Sequence, residues 1–399
     1  MKITERDEIK ALLALLAYEM FNREIKIDAS TVNWTAVLDE ANRHRVTALL
    51  YPAVRSLNGV PDEILDKLCC IAITTAAASE TMLKKQQDIL NLLEAHQIPC
   101  AILKGTSVAC CYPHPELRTI GDIDILIDEE CIEHATECLN EAGFVLEHDT
   151  KVHLSFFGQG VEVELHRAIS EFPELPKGTY TASLMVDALK HLHCEGVSNI
   201  NFRCLDFQYQ MVSLLAHIER HMQNSGIGLR QICDWAMTID VHRADIGAKE
   251  LCMLEQCGLL YFAKVVTSMC EKYLGLSPCS WTSNVPDDLK DALLTDLLKS
   301  GNFHVQKGER KFTTYLVDVY GGKEKENTFW NYVLYTQKRI RKEHPWAKNK
   351  FWILIFGIFW PARWGVRVLL GKRKKVNLIQ AVSTARERGK LLREMKLYQ

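Results

Sequence analysis

The chain has 399 residues, 47% of them hydrophobic and 25% charged, which is long enough for two or three domains with sizeable cores. A net charge of −2 argues against a general nucleic-acid-binding role, and fourteen cysteines without one C-x-x-C pair suit neither a zinc motif nor a small disulfide scaffold. The thiols are expected to be free and mostly buried in a cytoplasmic protein, since the start, MKITERDEIK, lacks the apolar stretch of a signal peptide.

Apolar residues recur at helical spacing in DEIKALLALLAYEMFN from residue 7, in WTAVLDEANRHRVTALLYPAVRSL, and in the long run DEILDKLCCIAITTAAASETMLKKQQDILNLLEAH. Residues 1–96 therefore read as an N-terminal helical domain. The texture changes at QIPCAILKG, a short buried strand closed by Gly105, followed by a helical stretch, TSVACCYP, and a loop, HPELRTIG. A strand, DIDILID, comes next. DEECIEHATECLNEAGF is an amphipathic helix that opens with acids and stops at Gly143. FVLEHD, VHLSFFGQG and VEVELHR then alternate or run apolar like strands. The order predicts an α+β fold, with a small mixed-sheet core over 97–200. Helical periodicity returns from about 205, giving a second helical domain over 201–281. Residues 282–330 read as loop-rich, leading into a basic and aromatic helical region within 282–399.

Asp122 and Asp124 alternate with isoleucines at the start of an otherwise apolar strand. Two residues apart, they share a face, roughly 7 Å apart at Cα, and two like charges that close need water or a cation. Glu162 and Glu164 on VEVELHR likewise share a face, so either one on a neighbouring strand would complete a three-carboxylate cluster. Such clusters hold divalent cations for phosphoryl or nucleotidyl transfer, and Mg²⁺ suits an all-oxygen set. Upstream, LKGTS places a glycine and two hydroxyls at a strand-to-helix turn, where backbone N–H groups can cradle a phosphate.

The succession Lys-Gly-Thr, Tyr-Pro, Leu-Arg, Gly-Asp-Ile-Asp-Ile-Leu-Ile and later Glu-Leu-His resembles the nucleotidyltransferase superfamily, and within it the bacterial group of uncharacterised nucleotidyltransferase family proteins. The resemblance spans most of residues 10–245 and is strongest at 102–128 and 161–167. It implies that Gly105 and Thr106 stand in the Gly-Ser place, that Asp122 and Asp124 are the metal-binding pair, and that Glu164 is the third acid. It further implies nucleotide contacts from Lys104, Gly105, Thr106 and Arg118, the last as a bidentate phosphate clamp. His166, His217, His221 and Asp234 are expected to pack at the cleft. Threonine replaces the commoner serine, and 17 residues separate Gly105 from Asp122, more than in minimal superfamily members.

Other motifs point elsewhere or nowhere. HIERH sets His217 and His221 on one helix face but lacks the H-E-x-x-H acid, and GVRVLLGK misses the P-loop spacing. From Lys338 to Lys375, twelve Lys and Arg face a single acid, Glu343, around the apolar run Phe351–Trp360. Ten apolar residues are too few to cross a bilayer, so this segment reads as an interfacial helix for an anionic membrane surface, or as a terminal helix docked on the acidic body.

The expectation is thus a Mg²⁺- (or Mn²⁺-) dependent enzyme moving a nucleoside monophosphate from an NTP, ATP foremost, to a hydroxyl or phosphate acceptor, without a specific nucleic-acid partner. Its location would be the cytoplasm, with peripheral contact at the inner membrane face. The alternatives are a catalytically silent nucleotide-binding or scaffold protein of the same fold, and a protein-modifying (AMPylating-type) or toxin–antitoxin nucleotidyltransferase.

Overall fold

The structure, a computed structural model, describes residues 3–223, 226–301 and 378–399. The basic segment 338–375 lies outside them. Among the described residues no helix is long and apolar enough to cross a membrane. All fourteen cysteines are free.

Four helices open the chain: α1 (Asp7–Phe21), α2 (Trp34–Arg43), α3 (Tyr51–Arg55) and the 34-residue α4 (Asp62–Ala95). Asn33 caps α2 by accepting a bond from the Ala36 N–H at 3.1 Å. The core follows as β1 (Cys100–Ile102), α5 (Gly105–Ala109), β2 (Ile123–Ile127), α6 (Ile132–Glu141), β3 (Val145–Asp149), β4 (His153–Gly158) and β5 (Val161–His166). Then come α7 (Pro176–Val186), β6 (Leu192–Val197), β7 (Ile200–Leu205), α8 (Phe207–Gln223), α9 (Leu229–Val241), α10 (Ala248–Gln256), α11 (Leu260–Tyr273), α12 (Asp287–Ser300) and α13 (Leu378–Glu394).

The seven strands form one mixed sheet in the order β3-β4-β5-β2-β1-β7-β6. β2 lies in its middle, antiparallel to β1 and parallel to β5, and every one of its five residues is buried. Alternation explains its composition. Ile123, Ile125 and Ile127 join α4 and α6 in a core on one face, whereas Leu126 belongs to a second core on the other. Asp124 shares the face of Leu126. That second core is large and unites α1–α3 with α8, α9, α11, α12 and the C-terminal Leu391–Tyr398. The helices before and after the sheet therefore build one core, not two separate ones. His44, at the end of α2, helps join them by accepting the Leu229 N–H at 3.2 Å at the start of α9.

Three elements differ from the sequence reading. β7 carries the sheet past residue 200, and β6–β7 is a hairpin turned by Ser198 and Asn199, both at positive φ (50° and 66°). α7 occupies Pro176–Val186, where the sequence reading named no element. Within the region read as loop-rich, α12 forms and buries Leu289, Leu293, Leu294, Leu297 and Leu298. Its leucines recur at helical spacing behind two first-turn acids, a pattern that the flanking polar stretches dilute.

One buried acid gives a stability test. Glu19 on α1 is 5% exposed, and its Oε1 has no hydrogen-bond partner among the described residues. Burial, aided by the nearby charge of Glu116, pushes its carboxyl up from the ordinary 4.5 to about 8. The unfolded chain ionises this group first, so its contribution is intact below about pH 4.5 and is lost as pH rises through about 8. Glu19→Gln is expected to raise the Tm at pH 9, by the equivalent of a few kcal/mol in order of magnitude, and to leave it unchanged near pH 4. Tm–pH curves that run parallel for mutant and wild type would refute this assignment.

Candidate active site

The parallel pairing of β2 with β5 puts Asp124 directly opposite Glu164, and Leu126 opposite His166. Strand alternation then turns Asp124, Glu164 and His166 to the same face of the sheet. Asp122, one residue before β2, joins them. Oxygens of Asp122, Asp124 and Glu164 lie within 4.8 Å of one another. Glu162 sits one pleat further along β5, opposite Phe157 on β4, and is exposed. Of the two glutamates left open by alternation, register brings Glu164 beside Asp124.

Basic groups already crowd these acids. The Lys104 Nζ lies 2.8 Å from the Asp124 Oδ1, and the His166 Nε2 lies 2.8 Å from the same oxygen and 3.1 Å from the Glu164 Oε2. His153, at the start of β4 and paired in register with His166, brings its Nε2 to 3.5 Å from the Glu164 Oε1. Burial alone would raise the Asp124 carboxyl, but Lys104 and His166 together hold it well below the usual carboxylate range. At Asp122 the positive charges of Lys104 and Arg230 are outweighed. The negative charge of Asp124, followed by burial, pushes Asp122 up to about 6. A cluster whose members resist ionising together is one that a divalent cation would stabilise.

The turn between β1 and α5 approaches the same acids. Lys104 and Gly105 both take positive φ (44° and 40°), a conformation rare for a lysine and held by two bonds. The Ser107 N–H and Oγ both donate to the Lys104 carbonyl, at 2.7 and 2.9 Å. The Leu103 N–H donates to the Asp124 carbonyl at 2.9 Å, fixing the turn to β2. Lys104 and Gly105 line the cleft. Thr106 is buried and is not among the lining residues.

Helices α8 and α9 form the opposite wall of this cleft, whose volume is about 260 Å³. His217 and His221 stack edge-to-face with centroids 4.3 Å apart. Burial drives both toward the neutral form, His217 well below its ordinary value and His221 to about 3. Arg118 is not an open phosphate clamp. Its fork is committed to Asp234 on α9, Nε to Oδ1 at 3.0 Å and Nη2 to Oδ2 at 2.7 Å, and the Tyr112 hydroxyl donates to the same carboxylate at 2.8 Å. Another guanidinium of the cleft, the half-buried Arg230, donates Nη1 to the Thr119 carbonyl at 2.9 Å, while its buried Nε has no hydrogen-bond partner among the described residues. His153 and Arg230 are cleft residues that the sequence reading did not single out. Neither belongs to a motif, and each is recognised only through its register or helix position.

Three carboxylates on neighbouring strands thus stand beside a strand-to-helix turn and a cleft lined by basic groups, an arrangement suited to phosphate chemistry. In keeping with this, residues 30–275 match the family described as uncharacterised nucleotidyltransferase, and the chain belongs to that family. The solution structure of the antibiotic-resistance factor ANT(2'')-Ia aligns with 49% of this chain and 92% of its own, at 11% identity and a TM-score of 0.32, too low to carry an inference. No curated protein matches the sequence.

Proposed function

We propose that the cleft transfers a nucleoside monophosphate from an NTP, with ATP the first candidate, to a hydroxyl or phosphate acceptor. The carboxylate trio Asp122–Asp124–Glu164 facing the cleft is the observation that carries this reading. The trio would hold Mg²⁺ or Mn²⁺, which supplies charge neutralisation on the phosphates and acidifies an acceptor hydroxyl. The all-oxygen donor set fits Mg²⁺, and the adjoining imidazoles of His153 and His166 extend the fit to Mn²⁺.

The remaining work falls to the chain itself. His166 orients Asp124 and Glu164 by bridging them. Lys104 neutralises Asp124 and stands ready to meet a phosphate oxygen. Arg230 binds the pyrophosphate in place of Arg118, which instead fixes α9 against the loop before β2. The Glu164 carboxylate accepts the acceptor's proton as its oxygen attacks the α-phosphorus, and the bond to pyrophosphate breaks in line. His217 and His221, held neutral, offer hydrogen bonds without repelling cations.

Incubating the protein with α-labelled NTPs and a cell extract tests this reading. Label transferred to a small molecule supports it, and label on protein favours the modifying alternative. Nucleotide- and Mg²⁺-dependent thermal shifts with no label transferred would establish the silent nucleotide-binding alternative. A narrower test separates the two glutamates: Glu164→Gln is expected to lose transfer by orders of magnitude, and Glu162→Gln to stay within a few-fold of wild type. A dead Glu162→Gln enzyme would reverse the assignment. For the basic segment 338–375 we propose contact with an anionic membrane surface, on the strength of its sequence. Liposome co-sedimentation that weakens as salt rises is the expected result, and no sedimentation with anionic vesicles would end the idea.

A further inference from the structure

A second group of side chains with metal-ligand chemistry lies on the other face of the sheet from the carboxylates. His96 follows the last turn of α4, and His134 and Cys138 lie one turn apart on α6, the helix packed with α4 over the isoleucine face of β2. Donor atoms of the three lie within 4.8 Å of one another. The rings of His96 and His134 meet edge-on with centroids 5.4 Å apart, and both imidazoles are exposed. Cys138 is 3% exposed and belongs to the core beneath them.

We propose that His96, His134 and Cys138 form a zinc site that fastens the end of α4 to α6. Two imidazoles and a thiolate are a borderline-to-soft donor set, which prefers Zn²⁺ to Mg²⁺ or Ca²⁺. Tetrahedral zinc sets its donors about 3.3–3.7 Å apart, given metal–ligand bonds near 2.0–2.3 Å. Rotating two exposed imidazoles closes that gap without moving a helix. The Glu137 carboxylate, 3.8 Å from the His134 Nδ1, is within reach as a fourth ligand. Binding would deprotonate the Cys138 thiol and release its proton to solvent. Burial raises that thiol above its ordinary value, so affinity should climb with pH as the metal competes with the proton.

No zinc motif reveals this site, because its ligands come from two helices and 42 residues separate His96 from Cys138. It is also independent of the nucleotidyl-transfer reading, since neither assignment uses a residue of the other.

The test is titration of the full-length reduced protein with Co²⁺, followed by competition with Zn²⁺. Wild type should develop a thiolate-to-cobalt charge-transfer band at one equivalent, bleached by Zn²⁺, with one proton released. His96→Ala changes only an exposed side chain and should weaken binding about tenfold or more. Cys138→Ala should abolish the band, with circular dichroism confirming that it has folded. The proposal is overturned if no thiolate band forms, if Cys138→Ala retains it, or if His96→Ala titrates like wild type.

Discussion

Asp122→Asn is expected to reduce nucleotidyl transfer by about 10³-fold or more while leaving the fold as stable or more so. The loss follows from removing one of three carboxylates that would hold the metal, worth several kcal/mol of transition-state charge stabilisation. The stability follows from the repulsion that pushes Asp122 up to about 6. Its ordinary value is 3.8, so the folded form resists ionising, and stability is lost as pH rises through about 6. An amide removes that loss, and the mutant should gain most above pH 6. Asp124→Asn should differ. It would be equally inactive, but would leave the Lys104 ammonium, 2.8 Å away, without its carboxylate partner. Breaking a buried pair from one side costs about 3–5 kcal/mol. Transfer assays and thermal melts of the two variants together check the assignment. An active Asp122→Asn enzyme would sink the metal site, and a strongly destabilised one would mean that Asp122 serves a structural ion pair.

The second large effect lies at the buried triad of Arg118, Asp234 and Tyr112. Arg118→Met or Asp234→Leu alone should destabilise by about 3–5 kcal/mol, because each strands a charge under a few per cent exposed. Combining the two should recover much of that loss, since an apolar pair leaves no unpaired charge, although the Tyr112 hydroxyl would still lack its acceptor. Denaturant melts of the two single mutants and the double mutant measure the coupling. Additive losses would show that the pair does not act as a unit.

Much of this was legible in the chain because the signals are local. The D-x-D alternation, the Gly-closed strand before it and the acid-led helix after it each depend on residues within one element, and the sheet core from β1 to β5 follows. The β6–β7 hairpin was not legible. β6 is a half-exposed edge strand, LHCEGV, with no clean alternation, and its turn is Ser-Asn in place of Asn-Gly. The sequence brought forward the three acids, Lys104 and three of the histidines that line the cleft, but it misplaced one cation and passed over two basic groups. Arg118 has the chemistry of a phosphate clamp, but its partner lies 116 residues away, and only packing of α9 brings them together. Arg230 and His153 show the converse. Nothing beside them in sequence marks them, and they reach the cleft by helix position and strand register.

Helix α4 has a consequence for how the protein comes apart. At 34 residues it is about 51 Å long, and it contributes to both cores: Leu68 and Ala72 to the helical one, and Leu83, Ile89 and Leu93 to the one behind the sheet. A rod embedded at both ends cannot let one end melt while the other stays native without fraying along its middle. Calorimetry should therefore show a single endotherm for the sheet and the helices together. A fragment beginning at residue 97 would be a sheet missing one of its walls, not a smaller enzyme.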